Sequence, residues 1–157
     1  MKAASVKELK IELSSKSPKE LVEICLTLSK FKKENKELLS YLLYEAGDEE
    51  GYIRSVEREI DTAFEEINTR NFYYFKKGVR KILRMVKKYI RYSKKKETEA
   101  SLLIYFCKTL QNEYPTYKRS ISLKNLFNRQ IGMAKKAVAT LHEDLHFDFI
   151  QELEMLE

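Results

Sequence analysis

Apolar residues along this chain recur every three or four positions, the period of a helix with one buried face. Val6, Leu9 and Leu13 share one side of a first helix, opened by Ser5 and Glu8 as a reciprocal capping box. Ser17-Pro18-Lys19-Glu20 repeats the device, with proline at the first helical position, where its missing N–H costs nothing. Leu21, Ile24, Cys25 and Leu28 follow at helical spacing. A third helix runs through "KELLSYLLYEA" and is expected to stop at Gly47 as a left-handed cap. Asp48 opens a fourth, with Ile53, Val56, Ile60, Phe64 and Ile67 inward. Asn68 and Thr69 interrupt, and a fifth helix spans residues 72–92. "TEASLLIYFCKTLQNE" forms a sixth, ended by Pro115, which disfavours helical geometry in the residue before it. Ser120 or Ser122 caps a seventh to about residue 141, which either continues or breaks at Asp144 into a terminal segment.

No run alternates with period two for the length of a strand, and four Gly and two Pro are too few for the turns of an all-β or Rossmann-type domain. The expected fold is all-α: seven or eight helices in one domain over residues 1–157. Residues 17–47 and 71–113 each read as an αα-hairpin, stacked as an irregular bundle or a short α-solenoid. The two hairpins share no sequence self-similarity that would make them repeats.

The opening "SVKELKIELSSKSPKELVEICLTLSKFKKENKELLSYLL" resembles the N-terminal signature of small, uncharacterised bacterial all-α proteins of a domain-of-unknown-function family. A short Leu-Lys-rich helix leads into a Ser-x-Glu-Leu-type helix, then a Lys-rich turn and a third helix. The resemblance covers the first quarter of the chain. It implies an all-α fold and brings no activity, cofactor or site residue with it.

Charge adds the first functional clue. The net charge is only +6, but it is unevenly placed: residues 45–69 sum to about −7, 70–96 to about +12 and 142–157 to about −6. The stretch "FKKGVRKILRMVKKYIRYSKKK" carries eleven Lys/Arg and no acid. On a helical wheel Phe72, Phe75, Val79, Ile82, Leu83, Val86, Tyr89 and Ile90 fill one arc, and the cations fill the next. The expected role is a non-enzymatic interaction module, a basic amphipathic helix offered to an anionic or acidic partner. Lys77, Arg80, Lys81, Arg84, Lys88, Arg91 and Lys95 are the candidate contacts. One alternative partner is nucleic acid bound with little sequence preference, with arginine forks on phosphate and Tyr74 and Tyr92 stacking on bases. The competing reading is a solvated face cancelled by the chain's own acids, if segments 45–67 and 142–157 pack beside residues 76–95.

A second alternative rests on "HEDLH", residues 142–146, which matches the zinc-protease pattern H-E-x-x-H. On one helix His142 and His146 would share a metal and Glu143 would serve as base. No third ligand follows in any known extension, since Phe149 and Glu152 stand where a Gly and a His would be needed. The two histidines are therefore expected to pack on an acidic terminal helix, and no catalytic residue, metal or cofactor is assigned. Cys25 and Cys107, both in apolar surroundings, are expected as reduced core residues. The longest uncharged apolar run is too short for membrane insertion, and with no apolar leader at the N-terminus the expected location is the cytoplasm.

Overall fold

A computed structural model describes residues 1–156. Eight α-helices and no strand occur among them, and no helix is long and apolar enough to cross a membrane. The chain divides into two compact units, Met1–Tyr44 and Glu45–Glu157.

The first unit holds α1 (Val6–Ser14), α2 (Pro18–Phe31) and α3 (Lys33–Ser40). Both expected capping boxes form. The Glu8 carboxylate accepts from the Ser5 hydroxyl and amide at 2.7 Å, and the Glu20 carboxylate accepts from the Ser17 amide at 2.7 Å. Each hydrogen bond favours the ionised acid, so the Ser5 hydroxyl holds Glu8 below the usual carboxylate range, and the Ser17 amide does the same for Glu20. Polar termini are all that α1 secures: Val6, Leu9, Ile11 and Leu13 are exposed, and none of its residues is buried. The expected inward face is therefore not covered, and Cys25 on α2 is exposed rather than in a core. Asn35 ties α3 to α2 by donating to the Leu28 carbonyl at 2.8 Å.

Gly47 does not adopt the left-handed cap expected of it. Beyond α3 the chain widens into a π-helical turn, Tyr41–Glu45, and the Asp48 amide closes it on the Glu45 carbonyl at 2.9 Å. The turn takes up the excess backbone without a positive φ. Among the described residues Lys94 alone has one, at φ 59.

The second unit holds α4 (Glu49–Glu65), α5 (Phe72–Ser93), α6 (Lys96–Glu113), a 3₁₀ turn (Pro115–Arg119), α7 (Ile121–Ala139) and α8 (Glu143–Glu154). α6 is apolar on most of its circumference, with Leu102, Leu103, Ile104, Phe106, Cys107 and Leu110 buried, as a helix enclosed on all sides must be. α4, α5, α7 and α8 all pack on it. A helix touched by four others belongs to an irregular bundle, because solenoid repeats meet only their neighbours. The sense of each helix follows from its pairings. Glu49 meets Thr98 and Asp61 meets Tyr105, while Lys108 meets Glu152 and Gln111 meets the Met155 carbonyl, so α4 and α8 run with α6. Arg80 meets Ser122 and Lys87 meets Met133, so α5 and α7 run together, against α6. Phe64, Phe106 and Tyr114 form the aromatic centre, with ring centroids 5.1–5.7 Å apart. Truncating either buried phenylalanine to alanine would cost about 3–5 kcal/mol.

Candidate anion-binding face

The geometry of α5 begins at its ends. Asn71 caps it by accepting from the Tyr73 and Tyr74 amides at 2.9 and 3.2 Å, and Lys94 closes it in the left-handed region. Burial of Phe75, Val79, Ile82, Leu83 and Val86 then fixes its rotation. With that side turned inward, the candidate cations fall into three groups.

On the α4 flank, acids meet the helix. Lys95 pairs with Glu49 at 3.2 Å, and the same carboxylate accepts from Ser93 and from Thr98. Glu59 accepts from the Tyr89 hydroxyl, and the Lys88 ammonium sits 5.0 Å from the Tyr89 ring centroid. Lys81 lines a pocket here with Lys88, Gly78 and Ile67. Lys77, Arg84 and Arg91, spaced by seven, are exposed along the middle. Lys77 sits over the Tyr73 ring, at 4.8 Å. On the α7 flank Arg80 donates to the Ser122 hydroxyl at 3.1 Å, and Lys87 rests 3.7 Å from the Met133 sulfur. Burial, joined by the nearby Arg129 charge, lowers the pKa of Lys87 from its ordinary value. Among the described residues no carboxylate lies within salt-bridge distance of Lys77, Arg80, Lys81, Arg84, Lys87 or Arg91.

The acidic segments thus divide. Segment 45–67 covers one edge of α5 through Glu49 and Glu59. In segment 142–157, Glu152 pairs instead with Lys108 of α6 at 2.8 Å. There it joins Glu57 and Asp61 of α4, and burial, with those two acids, raises the Glu57 carboxyl.

Of the cations that the charge blocks concealed, Arg129 joins this surface beside Lys87, whereas Lys124 and Lys135 border a pocket with the 3₁₀ turn on the other side of α7. α7 carries Lys124, Arg129, Lys135 and Lys136 and no acid, and Arg119 in the 3₁₀ turn lies 5.6 Å from the Phe72 ring centroid. Their signal was diluted because the block 97–141 also counts Glu97, Glu99 and Glu113 of α6. Counting charge helix by helix would have found them. The aromatic expectations also shift: Tyr74 is exposed and Tyr73 beside it too, whereas Tyr92 is buried and offers no stacking surface.

The HEDLH segment does not lie on one helix. α7 ends at Ala139, and His142 is the N-cap of α8, its Nδ1 accepting from the Asp144 amide at 3.3 Å. His146 is on the helix, with Nε2 2.8 Å from the Leu141 carbonyl. The break falls before His142 because a capping side chain there satisfies an orphan amide. The shared helical face that the metal pattern needs is consequently not formed. Among the described residues no group of three or more His, Cys, Asp or Glu is placed to hold a metal ion.

No family model, curated protein or solved structure matches this chain.

Proposed function

We propose that the second unit is a cytoplasmic binding module in which α5, a basic amphipathic helix held by its apolar side, joins α7 to grip a polyanion. The carrying observation is that Arg80, Arg84, Lys87 and Arg91 have no carboxylate within salt-bridge distance among the described residues, while Glu152 pairs with Lys108. A nucleic-acid backbone fits best. Arginine forks suit phosphate, and exposed Tyr73 and Tyr74 give unpaired bases a stacking surface beside them. Nothing on the face reads base edges in a duplex groove, so sequence preference is weak. The two unpaired thiols, each in a different unit, favour a reducing compartment.

Fluorescence anisotropy with labelled single- and double-stranded oligonucleotides tests the reading. Binding is expected at about 50 mM salt, with affinity falling steeply, by about 10³-fold or more, towards 200 mM. Arg84→Glu with Arg91→Glu should abolish it without lowering the melting temperature. Binding only to an acidic protein, or no salt-sensitive binding to any oligonucleotide, would overturn it.

A further inference from the structure

α2 and α6 are both apolar on more than half of their circumference, but their surroundings differ. Four helices pack on α6, and nine of its residues are buried. Against α2 lies α3, and Ser29 is its one buried residue. Ile24, Thr27, Leu28 and Phe31 follow one line along α2 at helical spacing. An open groove of about 450 Å³ runs beside the first three, edged by Lys16, Glu20 and Glu23. Leu28 is 57% exposed and Phe31 78%.

α1 has the complementary deficit. It has nine residues, fewer than the about 12–15 that an isolated helix needs in water. Its Val6, Leu9 and Leu13 form an exposed stripe, and none of its residues lines the α2 groove. Val6, Leu9, Leu13, Leu28 and Phe31 expose roughly 600 Å² between them, most of the about 800 Å² that each partner gives to a standard interface.

Charge sets the character of the partner. α1 balances Lys7 and Lys10 against Glu8 and Glu12, and α2 balances Lys19 and Lys30 against Glu20 and Glu23. A membrane surface or a polyanion selects helices with an excess of Lys and Arg, which neither helix has. A neutral helix with both signs interleaved meets its own copy without net repulsion. α5, which has no acid, does not.

We propose that the first unit pairs with that of a second copy, α1 of each chain lying in the α2 groove of the other. A two-fold axis makes the exchange reciprocal, so both stripes and both grooves are covered in one closed dimer. The α1 leucines then meet Leu28 and Phe31 of the second copy, and the α1 lysines come beside its Glu20 and Glu23. Cys25 is not among the residues lining the groove and stays open to solvent. The inference does not rest on the α5–α7 face.

Sedimentation equilibrium of the full chain, freed of nucleic acid, tests it. From about 1 to 200 μM the mass should rise from 18.7 kDa towards twice that value, with a Kd of about 1–100 μM. Leu9→Lys and Phe31→Lys should each weaken pairing about tenfold or more while the helical circular dichroism of the chain is kept, since both side chains are exposed. An equimolar mixture of the two variants should pair more tightly than either alone, because their heterodimer keeps one intact α1–α2 seat. Arg84→Glu with Arg91→Glu should leave the mass unchanged. Pairing should also persist at about 200 mM salt, where polyanion binding has collapsed, which separates the two readings. A monomer at about 200 μM, a mass that climbs beyond the dimer, or a mixture no heavier than its parts would overturn the inference.

Discussion

Two sides of the second unit gather like charges, and they manage the repulsion differently. Where α4, α6 and α8 meet, Glu57, Asp61 and Glu152 crowd together, but Lys108 pairs with Glu152 and the Tyr105 hydroxyl donates to both Asp61 oxygens at 2.8–2.9 Å. Where α5 and α7 meet, Lys87 faces the Arg129 charge with Glu99 as the opposing acid, and the contacts among the described residues are a serine hydroxyl on Arg80 and a methionine sulfur on Lys87. The acidic side carries its own counter-charges and donors. On the basic side, among the described residues, Glu99 acts on Lys87 without pairing with it, and no carboxylate lies within salt-bridge distance of Arg80 or Lys87. A cluster of charge is thus evidence of a binding site only when its counter-charges have been sought within the same fold.

The largest expected effect breaks the acidic side. Tyr105→Phe removes the donor to Asp61 and should lower stability at neutral pH by about 1.5–3 kcal/mol, measured by urea denaturation. Burial, with the Asp61 bond next, pushes the Tyr105 hydroxyl up to about 12 from an ordinary value of 10.0. A raised pKa means the folded state holds this proton more tightly. The stabilisation is complete below the ordinary value and is lost as pH rises through about 12, so parent and variant should converge there.

Smaller effects should appear as opposite pH responses on the two sides. Glu57→Gln relieves repulsion and should stabilise by about 0.3–0.5 kcal/mol at neutral pH. The Glu57 carboxyl is raised in the fold, so its penalty is present above the folded pKa and is relieved as pH falls from there to the ordinary 4.5. The advantage of the variant should vanish on acidification. Lys87→Met should stabilise by no more than about 0.3–0.5 kcal/mol, because Lys87 is partly solvated. Its pKa is lowered, so the penalty is present at neutral pH and is relieved as pH rises through the folded pKa to the ordinary 10.5. This variant should lose its advantage on alkalinisation instead. Denaturation of each pair across pH checks both signs; an advantage that ignored pH would remove charge crowding as its cause.

Most helix starts carry their own local chemistry, since Ser5, Ser17, Asp48, Asn71 and Ser120 all accept from amides in the first turn. α3 and α6 start at Lys32 and Lys95 without a side-chain cap and were legible from periodicity alone. The buried side of α5 was legible from periodicity for the same reason, since Val79 and Val86 are fully buried. What lies across from a helix is not local. The same spacing of apolar residues put Val6, Leu9 and Leu13 on one face, yet nothing in their unit buries them. The expectation for Cys25 failed on the same ground: an apolar neighbourhood in sequence supplies no neighbour in space. The site was half legible. Arg84 and Arg91 could be named from one helix, but Arg129 joins them only because α7 runs in the same sense as α5, which is a property of the bundle.

The pair of thiols has a practical corollary. Cys25 is open to solvent in the first unit, while Cys107 is fully buried on the central helix of the second, where desolvation pushes its thiol up to about 12. A thiolate-seeking reagent therefore meets one sulfur at once and the other only when the helices around α6 part. The native chain carries a fast label and a slow one, and the interval between them times the opening of the second unit.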